Sequence, residues 1–193
     1  AAGLYPYIDN ESPQSTSTAI KHEYHRSKSM PDYYLHREQL QLSAKLEAGV
    51  SLIVSAPTSF GKSLLIEELI AAKKYKNLVI IQPTLALLDE TRKKLQVYRD
   101  DYSLIVSTHQ KPNGSANIFL FTGERVVEYE EFPQIDFFVI DEFYKLSLAR
   151  DDERATTLNQ ALYRLLKMTE SFYMLGPNIQ DISERLTERY NAA

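Results

Sequence analysis

Cysteine is absent from the 193 residues of this sequence, and long hydrophobic runs are absent as well. Without cysteine, the chain is not a disulfide-stapled scaffold, holds no metal through thiolates and uses no thiol nucleophile. No apolar run approaches the roughly 20 residues that a membrane helix needs, and no signal-peptide pattern opens the chain. These absences predict a soluble, cytoplasmic protein with no membrane partner.

An excess of positive charge is also missing. The 22 Lys and Arg residues face 26 Asp and Glu residues, so the net charge is −4. This excludes a histone-like polycation, and any nucleic-acid binding must come from the local placement of charge. The composition is 44% hydrophobic and 25% charged, which excludes a disordered chain and a coiled-coil rod. The length fits one ordinary domain.

The first 31 residues differ in composition from the rest. Residues 12–18 read Ser-Pro-Gln-Ser-Thr-Ser-Thr, and histidines, tyrosines and basic residues follow. One interpretation of this polar leader is a segment that wraps the surface or is poorly ordered. The other is an accessory arm that contacts a partner. We predict that residues 32–193 form one domain.

Within that domain, short continuous apolar runs alternate with segments of helical spacing. Because the runs do not alternate apolar with polar residues, they are typical of strands that are buried on both faces, as in a parallel sheet covered by helices. The predicted strands are Leu52–Val54, Leu78–Ile81, Leu104–Val106, Ile118–Phe121, Phe137–Ile140 and Phe172–Leu175. The predicted helices are Arg37–Ala48, Lys62–Tyr75, Leu85–Tyr98, Gly123–Glu130, Glu153–Met168 and Ile179–Tyr190. The alternation predicts an α/β fold that binds ligands at the carboxyl ends of its strands.

The segment Ala56–Ser63 reads Ala-Pro-Thr-Ser-Phe-Gly-Lys-Ser and lies between a predicted strand and a predicted helix. This is the context of a phosphate-binding P-loop, in which backbone N–H groups and a helix N-terminus bind phosphate oxygens. Lys62 is then expected to reach the β- and γ-phosphates, and the Ser63 hydroxyl to ligate Mg²⁺. Ala56 stands where the strict pattern has glycine, and a Gly-Lys-Ser helix start without a ligand is the alternative.

The predicted strand Phe137–Ile140 ends in two carboxylates, Asp141 and Glu142. One acid at a strand end can hold Mg²⁺, and its neighbour can orient or deprotonate an attacking water. Taken alone, the pair could equally be a helix N-cap. Together with the upstream P-loop, it indicates an ATPase.

Four segments resemble motifs of superfamily 2, DEAD/DEAH-box-like helicases, and they follow one another along the chain in the order that the family has. Ala56–Ser63 is similar to motif I, and Asp141–Tyr144 to the Asp-Glu-x-x box. Pro83–Glu90 resembles motif Ia, and Phe121–Arg125 resembles motif Ib. The resemblance covers roughly residues 37–178, and it implies the first, N-terminal RecA-like motor lobe of a helicase, a P-loop NTPase fold with a mostly parallel sheet.

The resemblance also implies roles for individual residues. The residues expected to bind ATP are Gln39, Thr58, Ser59, Phe60, Gly61, Lys62 and Ser63. The expected catalytic residues are Lys62, Asp141 as a Mg²⁺ ligand beside Ser63, and Glu142 as the water-activating base. The residues expected to contact the backbone of DNA or RNA are Pro83, Thr84, Thr122, Gly123 and Arg125.

Three of these residues also have a simpler interpretation. Gln39 could be a polar residue on an exposed helix face, and Arg125 a solvated helix residue. Thr84 could cap the following helix, a role that is compatible with strand binding.

Two departures from the family pattern bear on activity. Tyr144 replaces the usual His or Asp, and the strand after the acidic box ends Leu-Gly-Pro-Asn at residues 175–178 instead of Ser-Ala-Thr. The second departure puts unwinding in question more than hydrolysis, because that motif couples the two in relatives. The combination of motifs also resembles bacterial helicases, some of them in phage-defence systems such as Hachiman.

The sequence therefore predicts the ATP-binding lobe of an ATP-dependent DNA or RNA helicase or translocase. Family members supply arginine fingers from a second RecA-like lobe, expected in the same full-length chain, and this sequence shows no second set of strands. We therefore expect the 193 residues alone to bind ATP weakly and to hydrolyse it slowly. The alternatives are a P-loop ATPase that acts on a partner other than nucleic acid, and a nucleotide-binding scaffold without turnover.

Overall fold

A computed structural model describes residues 20, 22–57, 60–146, 153–177 and 192. Four sequence-predicted features lie outside these residues, namely Thr58, Ser59, Asn178 and the helix expected at Ile179–Tyr190. No helix in the described ranges is both long enough and apolar enough to cross a membrane.

Six strands form one sheet in which every pairing is parallel. The strands are β1 (Leu52–Ser55), β2 (Asn77–Ile81), β3 (Ser103–Ile105), β4 (Asn117–Phe121), β5 (Phe137–Asp141) and β6 (Phe172–Gly176). Their spatial order is β1-β6-β5-β2-β4-β3. The predicted parallel α/β fold is confirmed, and all carboxyl ends of the strands lie at one edge.

One α-helix precedes β1, and four more connect strands within the described residues. They are α1 (Arg37–Glu47), α2 (Lys62–Ala71), α3 (Leu85–Leu95), α4 (Gly123–Glu128) and α5 (Glu153–Leu166). Helix α2 ends four residues earlier than predicted, because Lys73 adopts a left-handed conformation with φ of 52° that an α-helix does not accept. The last turn predicted for α3 is instead a 3₁₀ helix over Gln96–Tyr98.

Both faces of the sheet are buried, and residue alternation along the central strand β2 shows why. Leu78 and Ile80 pack into the core beneath α1, α2 and α3, whereas Val79 and Ile81 pack into the core beneath α4 and α5. All four side chains are at most 1% exposed. A strand that is buried on both sides must be apolar at every position, which explains the unbroken hydrophobic runs.

The described end of the predicted leader packs against the domain. The Ser27 hydroxyl donates a hydrogen bond of 2.8 Å to the buried carboxylate of Glu68 in α2, and the Leu35 N–H donates to the His25 carbonyl at 2.7 Å. An ion pair of 2.9 Å joins Lys28 to Glu47 at the end of α1. Residues 25–35 therefore form a strap over the outer side of α1 and α2.

Candidate functional site

The turn between β1 and α2 brings the predicted P-loop residues to the carboxyl edge of the sheet. Gly61 has φ of 77°, a left-handed conformation, and it precedes the first residue of α2. Lys62 is only 9% exposed, and its ammonium group donates to the Ala56 carbonyl at 3.1 Å. The turn thus holds a positive charge close to a helix N-terminus, an arrangement that favours anions.

Gln39 lies against this turn from α1. Its side-chain amide donates to the Phe60 carbonyl at 2.6 Å, and its carbonyl oxygen accepts from the His36 N–H at 2.7 Å. The side chain is 4% exposed, so the interpretation of Gln39 as a residue on an exposed helix face is wrong. A β-carbon at Gly61 would come within 2.6 Å of the Gln39 amide nitrogen, so this contact requires glycine.

Asp141 ends β5, next to both the P-loop lysine and the end of β2. Its pKa is raised above the usual value, chiefly because burial penalises the charged carboxylate and also because Glu142 adds negative charge. Attraction to Lys62 and a hydrogen bond from the side chain of Gln82 act in the opposite direction. The site therefore concentrates negative charge in a partly buried position, where a bound cation is favoured.

Glu142 follows in a strained backbone conformation, with φ of 58°. Its carboxylate forms an ion pair of 2.5 Å with Lys145, one turn of a 3₁₀ helix further along the chain. Non-glycine residues in left-handed conformations cost energy and are found at active sites more often than elsewhere. The two neighbouring acids thus have different environments, one facing the P-loop and one paired with a lysine.

The residues present fit Mg²⁺. In the described ranges, no group of three or more His, Cys, Asp or Glu side chains forms a metal site of its own. Mg²⁺, however, is usually held by one or two protein oxygen ligands together with substrate phosphates and water. Asp141 and the Ser63 hydroxyl offer oxygen atoms of this kind, and the side-chain oxygen of Gln82, the residue beside Asp141, is buried without a hydrogen-bond partner among the described residues.

The loops that follow β2 and β4 adjoin the same edge. Pro83, Thr122 and Gly123 line one cavity of about 120 Å³ together with Asp141 and Lys145. Gly123 is buried where α4 meets α5, and a β-carbon there would lie 3.4 Å from the backbone of Leu158. The two loops expected to contact a nucleic-acid strand are therefore neighbours of the acidic pair.

Two of the predicted strand-contacting residues make structural contacts within the chain. The Thr84 hydroxyl accepts from the Leu87 N–H at 3.3 Å, so Thr84 is the N-cap of α3. The Arg125 guanidinium donates to the Val106 carbonyl at 2.8 Å, which anchors the side chain in place.

Sequence reasoning missed three polar residues around Asp141. Gln82 and Lys145 contact the acidic pair, and the buried Tyr173 hydroxyl lies close enough for Asp141 to help raise its pKa well above the usual range, burial being the main cause. The spacing of Lys145, three residues after Glu142, was a readable signal for an ion pair on one helical face. The other two depend on which strands are neighbours, which the sequence alone does not reveal.

The end of β6, where the family's Ser-Ala-Thr motif would lie, is joined to the P-loop through the backbone. The Ala56 N–H donates to the Gly176 carbonyl at 3.0 Å. β6 also lies between β1 and β5, so it separates the P-loop strand from the strand that ends in Asp141. The end of β6 at Gly176 therefore lies between the two halves of the site.

Comparison with known proteins agrees with this geometry. The family model for DEAD/DEAH box helicases matches residues 36–175, which include all four motif segments. The chain is 37% identical over 191 residues to "Anti-bacteriophage protein B" of Escherichia coli (strain K12). That alignment covers 94% of this chain and 26% of the relative, so the chain spans about a quarter of the length of that protein. The chain belongs to the DEAD/DEAH box helicase family.

Proposed function

We propose that this chain is the ATP-binding motor lobe of a nucleic-acid-dependent helicase or translocase. The observation that supports this most strongly is a juxtaposition. The Lys62 turn, the acidic pair Asp141-Glu142 and the two loops that begin at Pro83 and Thr122 all lie at one edge of a single parallel sheet. An ATPase with no nucleic-acid partner needs the first two features but has no reason to carry the motif Ia-like and Ib-like sequences of these loops.

Binding of ATP begins at the P-loop in this proposal. Lys62 exchanges its hydrogen bond to the neutral Ala56 carbonyl for hydrogen bonds to phosphate oxygens, whose negative charge adds ionic attraction. Backbone N–H groups at the start of α2 point toward the same phosphates, and Thr58 and Ser59 complete the loop. Gln39 reads the adenine edge while it keeps the turn in register through Phe60.

Hydrolysis follows at the acidic pair. Asp141 and Ser63 hold Mg²⁺, and Glu142 accepts the proton of the attacking water. When bound, the metal ion neutralises charge on the phosphates and orients them for in-line attack. Glu142 is ion-paired with Lys145, and in this proposal that pair opens before Glu142 acts as the base.

Contacts to the nucleic acid come from Pro83, Thr84, Thr122, Gly123 and Arg125. Main-chain groups and hydroxyls of this kind bind phosphates and sugars rather than base edges, which suits movement along a strand of any sequence. A second RecA-like lobe supplies arginine across the cleft, a contribution of about 10³ to 10⁵ in rate in related phosphoryl-transfer enzymes.

The experiment is ATP hydrolysis by the full-length protein, measured with and without single-stranded DNA and RNA. We expect stimulation by at least one of the two nucleic acids and loss of that stimulated activity in Lys62→Ala. The matched control is Lys76→Ala, which removes an exposed lysine at the opposite edge of the sheet. A full-length protein whose ATPase no DNA or RNA stimulates would refute the proposal in favour of a non-nucleic-acid partner, and one without any turnover would favour a scaffold.

Strand binding has its own test in Thr122→Ala. The Thr122 side chain makes no capping hydrogen bond to α4, so its removal leaves that helix intact. We expect the variant to require a higher concentration of nucleic acid for half-maximal stimulation. An unchanged requirement would remove Thr122 from the proposed interface.

The similarity to an anti-bacteriophage protein supports a role in bacterial defence against phage, which we propose as the biological setting. The test is the plating efficiency of a panel of phages on bacteria that express the full-length protein or its Lys62→Ala variant. We expect protection against at least one phage with the first and none with the second. Equal protection by both would separate defence from ATP binding.

A further inference from the structure

Gln82 stands at a junction of three strand ends. It follows the last residue of β2, and because Ile81 pairs with Ile140, Gln82 lies beside Asp141 at the end of β5. Its backbone N–H donates to the Phe121 carbonyl at the end of β4, at 3.0 Å. One residue therefore connects the loop that begins at Pro83, the loop after β4 and the acidic pair.

The Gln82 side chain is polar in a place where an apolar residue would pack at lower cost. It is 5% exposed, and it lies close enough to the Asp141 carboxylate to act against the rise in the pKa of that group. Its carbonyl oxygen is fully buried, yet none of the described residues donates to it. A buried acceptor without a partner costs about 1–3 kcal/mol, and such atoms are rare in folded proteins.

A cavity beside the Gln82 side chain has room for a hydrogen-bond donor. Gln82 and Asp141 both line the cavity of about 120 Å³ described above, which is large enough to hold water molecules. Mg²⁺ retains several of its waters when it binds to proteins, and those waters are strong hydrogen-bond donors. Groups that hold a metal ligand in place through hydrogen bonds commonly control metal affinity by about 10–100-fold.

We propose that Gln82 is a positioning residue for the metal site, whose amide N–H fixes the Asp141 carboxylate and whose carbonyl oxygen accepts from a metal-bound water. The inference rests on the proposed ATP site and adds to it a residue outside the four motif roles. Because Gln82 directly precedes Pro83, it also links the proposed strand-binding loop to the metal ligand. A shift of this loop would be transmitted to Asp141 through one side chain.

The test measures metal binding rather than turnover. A fluorescent, slowly hydrolysed ATP analogue is titrated against the protein in EDTA and over a series of Mg²⁺ concentrations. In Gln82→Met, which keeps the length of the side chain but removes both hydrogen-bonding groups, we expect an about 10-fold weaker Mg²⁺ affinity and nearly unchanged nucleotide affinity in EDTA. The matched control is Gln96→Met, the same substitution at an exposed position, which should behave as wild type.

The outcomes separate this inference from the function on which it rests. If the wild type shows no Mg²⁺-dependent binding of the analogue, the proposed ATP site fails. If the wild type shows it and Gln82→Met equals the wild type, or weakens binding equally with and without metal, the positioning role is overturned. Should Gln82→Met fail to fold by circular dichroism, Gln82→Asn keeps the amide but shortens its reach, and wild-type Mg²⁺ affinity in that variant would overturn the role as well.

Discussion

The contact between Gly61 and Gln39 can be tested quantitatively through Gly61→Ala. The φ of 77° at Gly61 costs a non-glycine residue roughly 1–2 kcal/mol. The new β-carbon would also lie 2.6 Å from the Gln39 amide nitrogen, so the side chain must move and lose its hydrogen bond to Phe60, worth about 1 kcal/mol. We therefore expect a total destabilisation of about 2–3 kcal/mol, or a fall in Tm of about 5–10 °C for a chain of this size.

The chain offers a matched control in Gly114→Ala. Gly114 has a similar φ of 86°, but a β-carbon there meets no atom within 4 Å. Only the backbone term applies, and we expect a smaller loss, at most about 1–2 kcal/mol.

A double-mutant cycle isolates the steric part. In a Gln39→Ala background the obstructing amide is gone, so adding Gly61→Ala should cost only the backbone term of about 1–2 kcal/mol. The assay is thermal or urea unfolding of all four proteins, followed by circular dichroism. Equal costs of Gly61→Ala in the two backgrounds would refute the reasoning, because the contact would then contribute nothing.

Three further predictions concern charged and buried groups. Lys145→Met removes the partner of Glu142, and because that ion pair is partly exposed and worth about 0–1 kcal/mol, we expect ATP hydrolysis without nucleic acid to rise by a few-fold at most. Asp141→Asn should raise Tm at neutral pH, because a carboxyl whose pKa is raised in the folded state destabilises the fold when it ionises. The gain in Tm should vanish below pH 3.8, the pKa of the unfolded carboxyl. Ser27→Ala should lower unfolding free energy by about 1–3 kcal/mol, because it leaves the buried Glu68 carboxylate without its hydroxyl donor.

Each of these predictions has a control, which for two of them is a substitution at an exposed ion pair. Lys111→Met breaks the exposed ion pair with Glu131 and should leave hydrolysis unchanged. Lys28→Ala breaks an exposed ion pair close to Ser27 in the same strap, and it should leave the free energy of unfolding nearly unchanged. For Asp141→Asn the control is pH itself, since a Tm difference that persists at acid pH would contradict an electrostatic origin.

The strands were predictable from the sequence, and the neighbours of each strand were not. Runs such as Phe137–Ile140 are apolar at every position because both faces of the sheet are covered, and this signal is local. The order of strands is a property of the whole fold, so the position of Gln82 beside Asp141 had no counterpart in the sequence pattern. The end of α2 was misjudged for a related reason, because nothing in the composition around Lys73 signals a left-handed residue.

The candidate site also contains some residues that the sequence predicts and others that only the structure reveals. The P-loop and the acidic pair are recognisable because residue type and spacing follow from phosphate and metal chemistry. Gln39 was identified through the resemblance, and its burial against Phe60 became visible only in three dimensions. The roles of Thr58 and Ser59 stay predictions, as do all of the assigned contacts to nucleotide and nucleic acid.

The position of β6 has a consequence for how the protein is made. β1 pairs with β6, so Leu52 meets Tyr173, and the P-loop gains its backbone support from Gly176. Loops that close over such long stretches of chain form late and slowly. During synthesis, therefore, the turn between β1 and α2 leaves the ribosome more than a hundred residues before its supporting strand. The nascent chain cannot complete this edge of the sheet until β6 has been translated and inserted between β1 and β5.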